Sequence, residues 1–146
     1  MIEILRSNEL NPTYAATMLP ALFAQSYLTL GRTDDAEKEL FKAKDEVVRL
    51  VVLPWLRHAQ GRPAEAEAAM KEAKVKCGEA WAFQLAESCA GMGDRDGAFE
   101  WLEIAFRLRD SGMQVLKVQR SLVPLHGDPR WEVLLRKMKL ADDQLK

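Results

Sequence analysis

This sequence of 146 residues has few cysteines, few histidines and almost no net charge, and each of these features excludes a class of protein. Cys77 and Cys89 are the only cysteines, and neither has a histidine at metal-ligand spacing, so a zinc site is not expected. The net charge of −1 gives no reason to expect a clustered basic surface for nucleic acid or attraction to an acidic membrane. We therefore expect neither nucleic acid nor membrane as a partner.

Long apolar runs are also missing. The run "VVLPWL", residues 51–56, is far shorter than a bilayer span. The start of the chain, "MIEILRSNELNP", lacks the basic segment and the long apolar core of a secretory signal. These features predict a cytoplasmic protein.

Catalytic motifs are absent as well. His58 and His126 are the only histidines, and neither lies in a nucleophile elbow, a phosphate-binding glycine loop or a His-x-x-x-His pair. The acidic residues cluster at predicted helix starts and in i, i+4 positions to lysines, where helix dipoles and ion pairing account for them. The sequence predicts a protein that is not an enzyme and that binds no cofactor or metal.

What the sequence does contain is a repeated spacing that begins at Gly31, Gly61 and Gly93. Five, nine and twelve residues after each glycine stand an alanine, a large apolar residue and a second alanine. These positions are Ala36, Leu40 and Ala43, then Ala66, Met70 and Ala73, then Ala98, Leu102 and Ala105. Offsets of five, nine and twelve fall on one face of a helix, which predicts a stripe on which a second helix packs closely. Repeats 30 and 32 residues apart indicate stacked supersecondary units.

The residues before each glycine repeat too. Eight and seven residues upstream is a large residue with a small one after it, and four upstream stand Tyr27, Arg57 and Cys89. The whole pattern resembles the tetratricopeptide repeat, whose first helix carries Leu-Gly/Ala-x-x-Tyr and whose second helix carries alanine, a large residue and alanine. The middle repeat departs from the family at Pro54 and Arg57. The resemblance implies pairs of antiparallel helices.

Local signals predict where the helices begin and end. We expect a first helix over about Tyr14 to Leu30, with Pro20 in or just after its first turn, and a second from an N-cap at Thr33 to about Asp45. Pro54 predicts a break or kink near Leu50. The remaining expectations are Pro63 as a first helical residue, a helix from about Gly78 to Met92, and a helix from about Arg95 to Leu108 capped by Asp94.

The C-terminal segment differs from the repeats. Asp128 and Pro129 predict an N-cap and a first helical residue, and an apolar stripe follows at Trp131, Leu134, Leu135 and Met138. The last third of the chain, including "AFEWLEIAF", "DPRW" and "LLRKM", also resembles the closing segment after tetratricopeptide repeats in bacterial regulatory and signalling proteins. A helix covering the apolar end of the last repeat is the role that this resemblance implies.

We therefore predict an all-α fold, a right-handed α-solenoid of about three to four antiparallel helix pairs with a C-terminal capping helix. The predicted organisation is a single domain over residues 1–146. Within it, residues 1–12 form an incomplete N-terminal repeat, residues 13–110 three helix-pair repeats and residues 111–146 the capping segment.

The resemblance also implies a binding surface, because the first helices of tetratricopeptide repeats line a concave groove. The family's groove positions fall here on Met18, Gln25, Val51, Val52, Trp55, His58, Phe83, Gln84 and Glu87. A largely apolar groove with Trp55 as an aromatic anchor suits an amphipathic helix or an extended hydrophobic segment of a protein partner. The expected function is a non-enzymatic protein–protein interaction module. Two alternatives stay open: self-association as a homodimer, and a small-ligand sensor with a pocket beneath Trp55.

Overall fold

The structure of the protein, a computed structural model, describes residues 12–144. The incomplete repeat predicted for residues 1–12 thus lies outside the described residues except for Pro12. The described part of the chain is helical and has no strand, which confirms the all-α prediction. Its α-helices are α1 Pro12–Thr29, α2 Thr33–Leu40, α3 Glu46–Ala59, α4 Pro63–Lys76, α5 Ala82–Gly91, α6 Arg95–Arg107 and α7 Pro129–Lys137. Short 3₁₀ helices cover Gly78–Trp81, Ser111–Val118, Arg120–Leu125 and Asp142–Gln144.

The chain divides into two compact units, Met1–Cys77 and Gly78–Lys146. In the first unit, α1 packs on α2 and α3, and α3 packs on α4. In the second unit, α5 packs on α6 and on the 3₁₀ helix Arg120–Leu125. Each unit is thus built around helix hairpins, α1–α2 and α3–α4 in the first and α5–α6 in the second.

The three repeated glycines close the three hairpins in the same way. Gly31, Gly61 and Gly93 have φ angles of 76°, 75° and 78°, a left-handed conformation that glycine adopts without steric cost. The N–H of the residue after each glycine donates to the carbonyl five residues before it, on Tyr27, Arg57 and Cys89, over 2.8, 3.0 and 2.9 Å. Each glycine N–H donates to the carbonyl three residues before it. This pair of bonds is the Schellman motif, which satisfies carbonyls at a helix end.

The predicted small-large-small stripe is buried in every hairpin. Its alanines and large residues are at most 8% exposed, and most are fully inaccessible. An alanine in these positions allows the two helix backbones to approach closely, and the larger side chain between two alanines fills the remaining space. The repeat spacing is therefore a packing requirement of each hairpin.

Arg57, where the middle repeat departs from the family, makes polar contacts between α2 and α3. Its guanidinium lies 3.3 Å from Glu37 on α2, and Gln60 donates to the same carboxylate over 2.9 Å. The same guanidinium lies 5.9 Å from the centre of the Phe41 ring. Arg57 thus links α2 to α3 through half-buried, charge-assisted contacts.

Two expectations about α1 and α2 are wrong. The structure starts α1 at Pro12, so Pro20 lies in the helix interior instead of near its first turn. Thr33 is the first residue of α2, and Arg32 takes the N-cap position without a side-chain cap. Arg32 pairs instead with Asp35, 2.7 Å away.

Of the break or kink predicted near Leu50, a break is contradicted, because α3 is continuous over Glu46–Ala59 and the interruption lies before it. The structure ends α2 at Leu40 rather than near Asp45, and Asp45 is extended and caps α3 by accepting from the Val47 N–H over 2.9 Å. The helix continues through the buried Pro54. An interior proline costs roughly 3 kcal/mol, and each large apolar side chain that α3 buries returns about 1.5–3 kcal/mol, so packing outweighs the proline.

The second unit follows the predicted boundaries more closely. Asp94 caps α6, and Asp128 caps α7 with Pro129 as the first helical residue, as predicted. Trp131, Leu134 and Leu135 are buried, which confirms most of the predicted apolar stripe. The helix predicted from Gly78 begins as a short 3₁₀ turn before α5.

Candidate functional site

Most of the predicted groove residues of the first unit are buried. Met18 and Gln25 on α1, and Val51, Val52 and Trp55 on α3, are all inaccessible or nearly so, and Trp55 is only 7% exposed. Only His58, near the end of α3, is exposed. Truncating a buried tryptophan costs about 3–5 kcal/mol, so a Trp55→Ala variant would report on folding before it reported on binding.

The predicted groove residues of the second unit are held by contacts within that unit. The backbone N–H of Phe83 donates to the Asp110 carboxylate over 3.4 Å, and a methyl group added at Gly112 would collide with the Phe83 ring. Gln84 is half-buried. Phe83 thus takes part in the packing of the second unit.

Glu87 is a buried carboxylate, only 3% exposed. It accepts a hydrogen bond from the Ser121 hydroxyl over 2.6 Å and another from the Gln119 side-chain amide over 2.8 Å. Burying a carboxylate is costly unless donors surround it. These bonds join α5 to the C-terminal segment, so Glu87 stabilises the fold.

The structure therefore brings the predicted groove residues together only in part. They are divided between the two units, and most of them are core residues. The role of these nine residues in binding a partner stays a prediction.

A different surface, which the sequence reasoning missed, lies on α1. Leu19, Leu22, Phe23, Ser26 and Leu30 are exposed or half-buried, with Phe23 at 36% and Leu30 at 64%. Each residue turns the helix by about 100°, so these five positions fall within an arc of about 100° around the axis of α1, and Leu30 lies just past the end of the helix. The buried residues of α1, such as Ala21, Ala24 and Leu28, lie on the opposite side. We call Leu19, Leu22, Phe23, Ser26 and Leu30 the α1 stripe.

The α1 stripe carries no charge. The 18 residues of α1 include no Asp, Glu, Lys or Arg, whereas 29% of the whole chain is charged. Just beyond the helix, the Arg32 guanidinium lies 4.8 Å from the centre of the Tyr27 ring and pairs with Asp35. A helix without charge on any side is more typical of one that is covered on all sides than of one that faces water. The absence of charge from residue 12 to residue 30 was the sequence signal for this surface.

The polar groups on and beside the α1 stripe are already satisfied. The Ser26 hydroxyl donates to the Leu22 carbonyl over 3.0 Å, and the Thr29 hydroxyl donates to the Gln25 carbonyl over 2.9 Å. A hydroxyl bonded within its own helix loses little when water is removed from it. The stripe can therefore be desolvated at small cost.

A second surface feature is a groove of about 430 Å³ between α6 and α7. Its lining residues are Asp96, Phe99, Glu100, Glu103, Arg130 and Val133. Arg130 lies 2.8 Å from Asp96 and stacks 4.5 Å above the Phe99 ring, and Lys137 lies 2.9 Å from Glu103. These pairs hold α7 against α6, and no histidine, cysteine or hydroxyl group lines the groove. The groove thus lies where ion pairs hold α7 against α6.

Asp128 and Cys77 both have shifted pKa values, and neither forms a reactive site. Hydrogen bonds from the side chain and backbone of Arg130 lower the pKa of Asp128 to about 2, which suits a helix cap. Burial raises the pKa of the Cys77 thiol, which disfavours the reactive thiolate. Among residues 12–144, no group of three or more His, Cys, Asp or Glu side chains is arranged to hold a metal ion.

Within the part of the chain that the structure describes, no helix has the length and apolar character needed to cross a membrane. Comparisons with family models, curated proteins and solved structures gave no match to this chain. The resemblance to tetratricopeptide repeats therefore rests on the spacing and residues described above.

Proposed function

We propose that the protein is a non-enzymatic protein–protein interaction module whose α1 stripe binds an apolar helical segment of a protein partner. The observation that carries this proposal is the uncharged, partly exposed α1 stripe in a chain that is otherwise rich in charge. An amphipathic helix laid against such a face buries its apolar side chains at i, i+3, i+4 and i+7. The partner that fits this surface is protein, not nucleic acid or a membrane.

The repeated hairpins support the same proposal. Helix hairpins with a common packing stripe and a common glycine turn are the units from which binding solenoids are built. We propose that the hairpins belong to a right-handed α-solenoid related to tetratricopeptide repeats, in a cytoplasmic regulatory or signalling protein. The exposed His58 and half-buried Gln84 are the predicted groove residues that a partner can reach without unfolding the core.

The test of this proposal is binding of a defined helical probe to the full chain. The probe is a fluorescent synthetic peptide with leucines at i, i+3, i+4 and i+7 and no charge on that face. We expect saturable binding by fluorescence anisotropy to the wild type, and binding weakened roughly tenfold or more by Phe23→Asp, since a charge would be buried.

The matched control is Val75→Asp. Val75 is 85% exposed on α4, in the same unit, so this variant adds the same charge to an exposed apolar position away from the stripe. It should bind the probe as the wild type does. If both variants bind the probe equally well while circular dichroism shows both folded, α1 is not the binding surface.

A further inference from the structure

We infer that the occupant of the α1 stripe is α1 of a second copy of this chain, so that the protein self-associates through paired α1 helices. This inference rests on the proposed function, since it names the partner of the same surface. Three features of α1 support it: its lack of charge, the spacing of the stripe and the small residue within it.

The lack of charge favours self-pairing. In a two-fold dimer, the same patch of both copies meets itself, so a charged face brings like charges together. Among α1 to α7, α1 is the one helix without Asp, Glu, Lys or Arg. A face of this kind meets its own copy without like-charge repulsion. A partner with a charged face would gain no ion pair from the stripe.

The spacing of the stripe suits helix-on-helix packing. Leu19, Phe23, Ser26 and Leu30 are separated by four, three and four residues, the alternation that forms the seam between two packed helices. Leu22 lies beside this seam. Ser26 is the one small side chain in it, so it leaves room for a bulky side chain such as Phe23 of the second copy. Because the Ser26 hydroxyl is bonded to the Leu22 carbonyl, that contact leaves no polar group unsatisfied.

The size of the stripe sets the expected strength. From Leu19 to Leu30, it extends over about 16 Å at about 1.5 Å per residue. A single helix pair of this length falls at the low end of specific interface sizes, where complexes are weak and transient. We therefore expect a dimer in rapid equilibrium with the monomer.

Sedimentation equilibrium of the full chain tests the inference. For a chain of 16.5 kDa, the weight-average mass of the wild type should rise toward twice that value as the protein concentration is raised from about 5 to about 500 µM. Leu30→Asp should weaken the association roughly tenfold or more, because the carboxylate would lie inside the interface. Val75→Asp should leave it unchanged, and circular dichroism verifies that both variants fold.

The outcomes separate this inference from the proposed function. A wild type that stays at 16.5 kDa over the whole range, but binds the uncharged helical probe through Phe23, overturns self-association and leaves the interaction module supported. A monomer that does not bind the probe contradicts both. A dimer that Leu30→Asp does not weaken forms through another surface and overturns the assignment to α1.

Discussion

Replacing Gly93 by alanine tests the left-handed turn that closes each hairpin. Gly93 has a φ of 78°, and a methyl group added there would have no atom within 4 Å. The destabilisation therefore comes from the backbone conformation, because the left-handed region is about 1–2 kcal/mol less favourable for a non-glycine residue. Alanine also lowers the conformational entropy of the unfolded chain, which stabilises the folded protein by about 0.4–1 kcal/mol. The expected net loss in the free energy of unfolding is about 1 kcal/mol.

Gly127 provides the matched control in the same unit. A methyl group there also has open space, but Gly127 is not among the glycines with positive φ. Gly127→Ala should therefore stabilise the protein by about 0.4–1 kcal/mol through the unfolded chain alone. Urea denaturation of both variants measures the two effects. Equal midpoints for Gly93→Ala and Gly127→Ala would refute the assigned turn geometry.

One left-handed helix end in the second unit has arginine in place of glycine. Arg109 follows α6 with a φ of 57°, and the Asp110 N–H donates to the Ala105 carbonyl over 2.9 Å, as in the glycine turns. Arg109→Gly should relieve the strain and raise the free energy of unfolding by up to about 1 kcal/mol. A loss of stability would mean that the arginine side chain contributes more than its backbone conformation costs.

Three further predictions follow from packing and charge. Ala98→Leu should destabilise the α5–α6 hairpin by about 1–3 kcal/mol in urea denaturation, because Ala98 is fully buried, whereas the same change at the exposed Ala68 should have little effect. Ser121→Ala should cost about 1–3 kcal/mol, because the buried Glu87 carboxylate loses a donor, and an unchanged midpoint would contradict that bond. The folded pKa of Asp128 is lowered to about 2, so the stability that this carboxylate contributes is present above its unfolded pKa of about 3.9 and is lost as the pH falls toward 2. Asp128→Asn should remove that part of the acid unfolding transition, which tryptophan fluorescence follows.

The sequence predicted those parts of the fold that depend on local chemistry. Gly31, Gly61 and Gly93 could be identified because a left-handed helix end strongly favours glycine. Asp94 and Asp128 could be identified because a carboxylate accepts from free N–H groups at a helix start. The turn at Arg109 could not be identified, because arginine, unlike glycine, does not indicate a left-handed turn.

The sequence was least informative where tertiary packing decides. Pro54 carries a strong local signal for a break, but the buried side chains of α3 hold the helix together across it. An apolar residue such as Trp55 suits a groove and a core equally well, so its burial depends on which elements pack around it. The sequence also does not show that Ser121 and Gln119 donate hydrogen bonds to the Glu87 carboxylate.

Photo-crosslinking from Phe23 tests whether α1 pairs with α1 of a second copy. The Phe23 side chain is replaced by benzoylphenylalanine in the full chain, the purified protein is irradiated, and the products are analysed by mass spectrometry. We expect an intermolecular product of twice the chain mass, with the crosslink mapped to residues 12–30 of the second copy. A Leu30→Asp change in the same chain should reduce its yield. Crosslinks confined to residues of the same chain, at every protein concentration, would contradict pairing through α1.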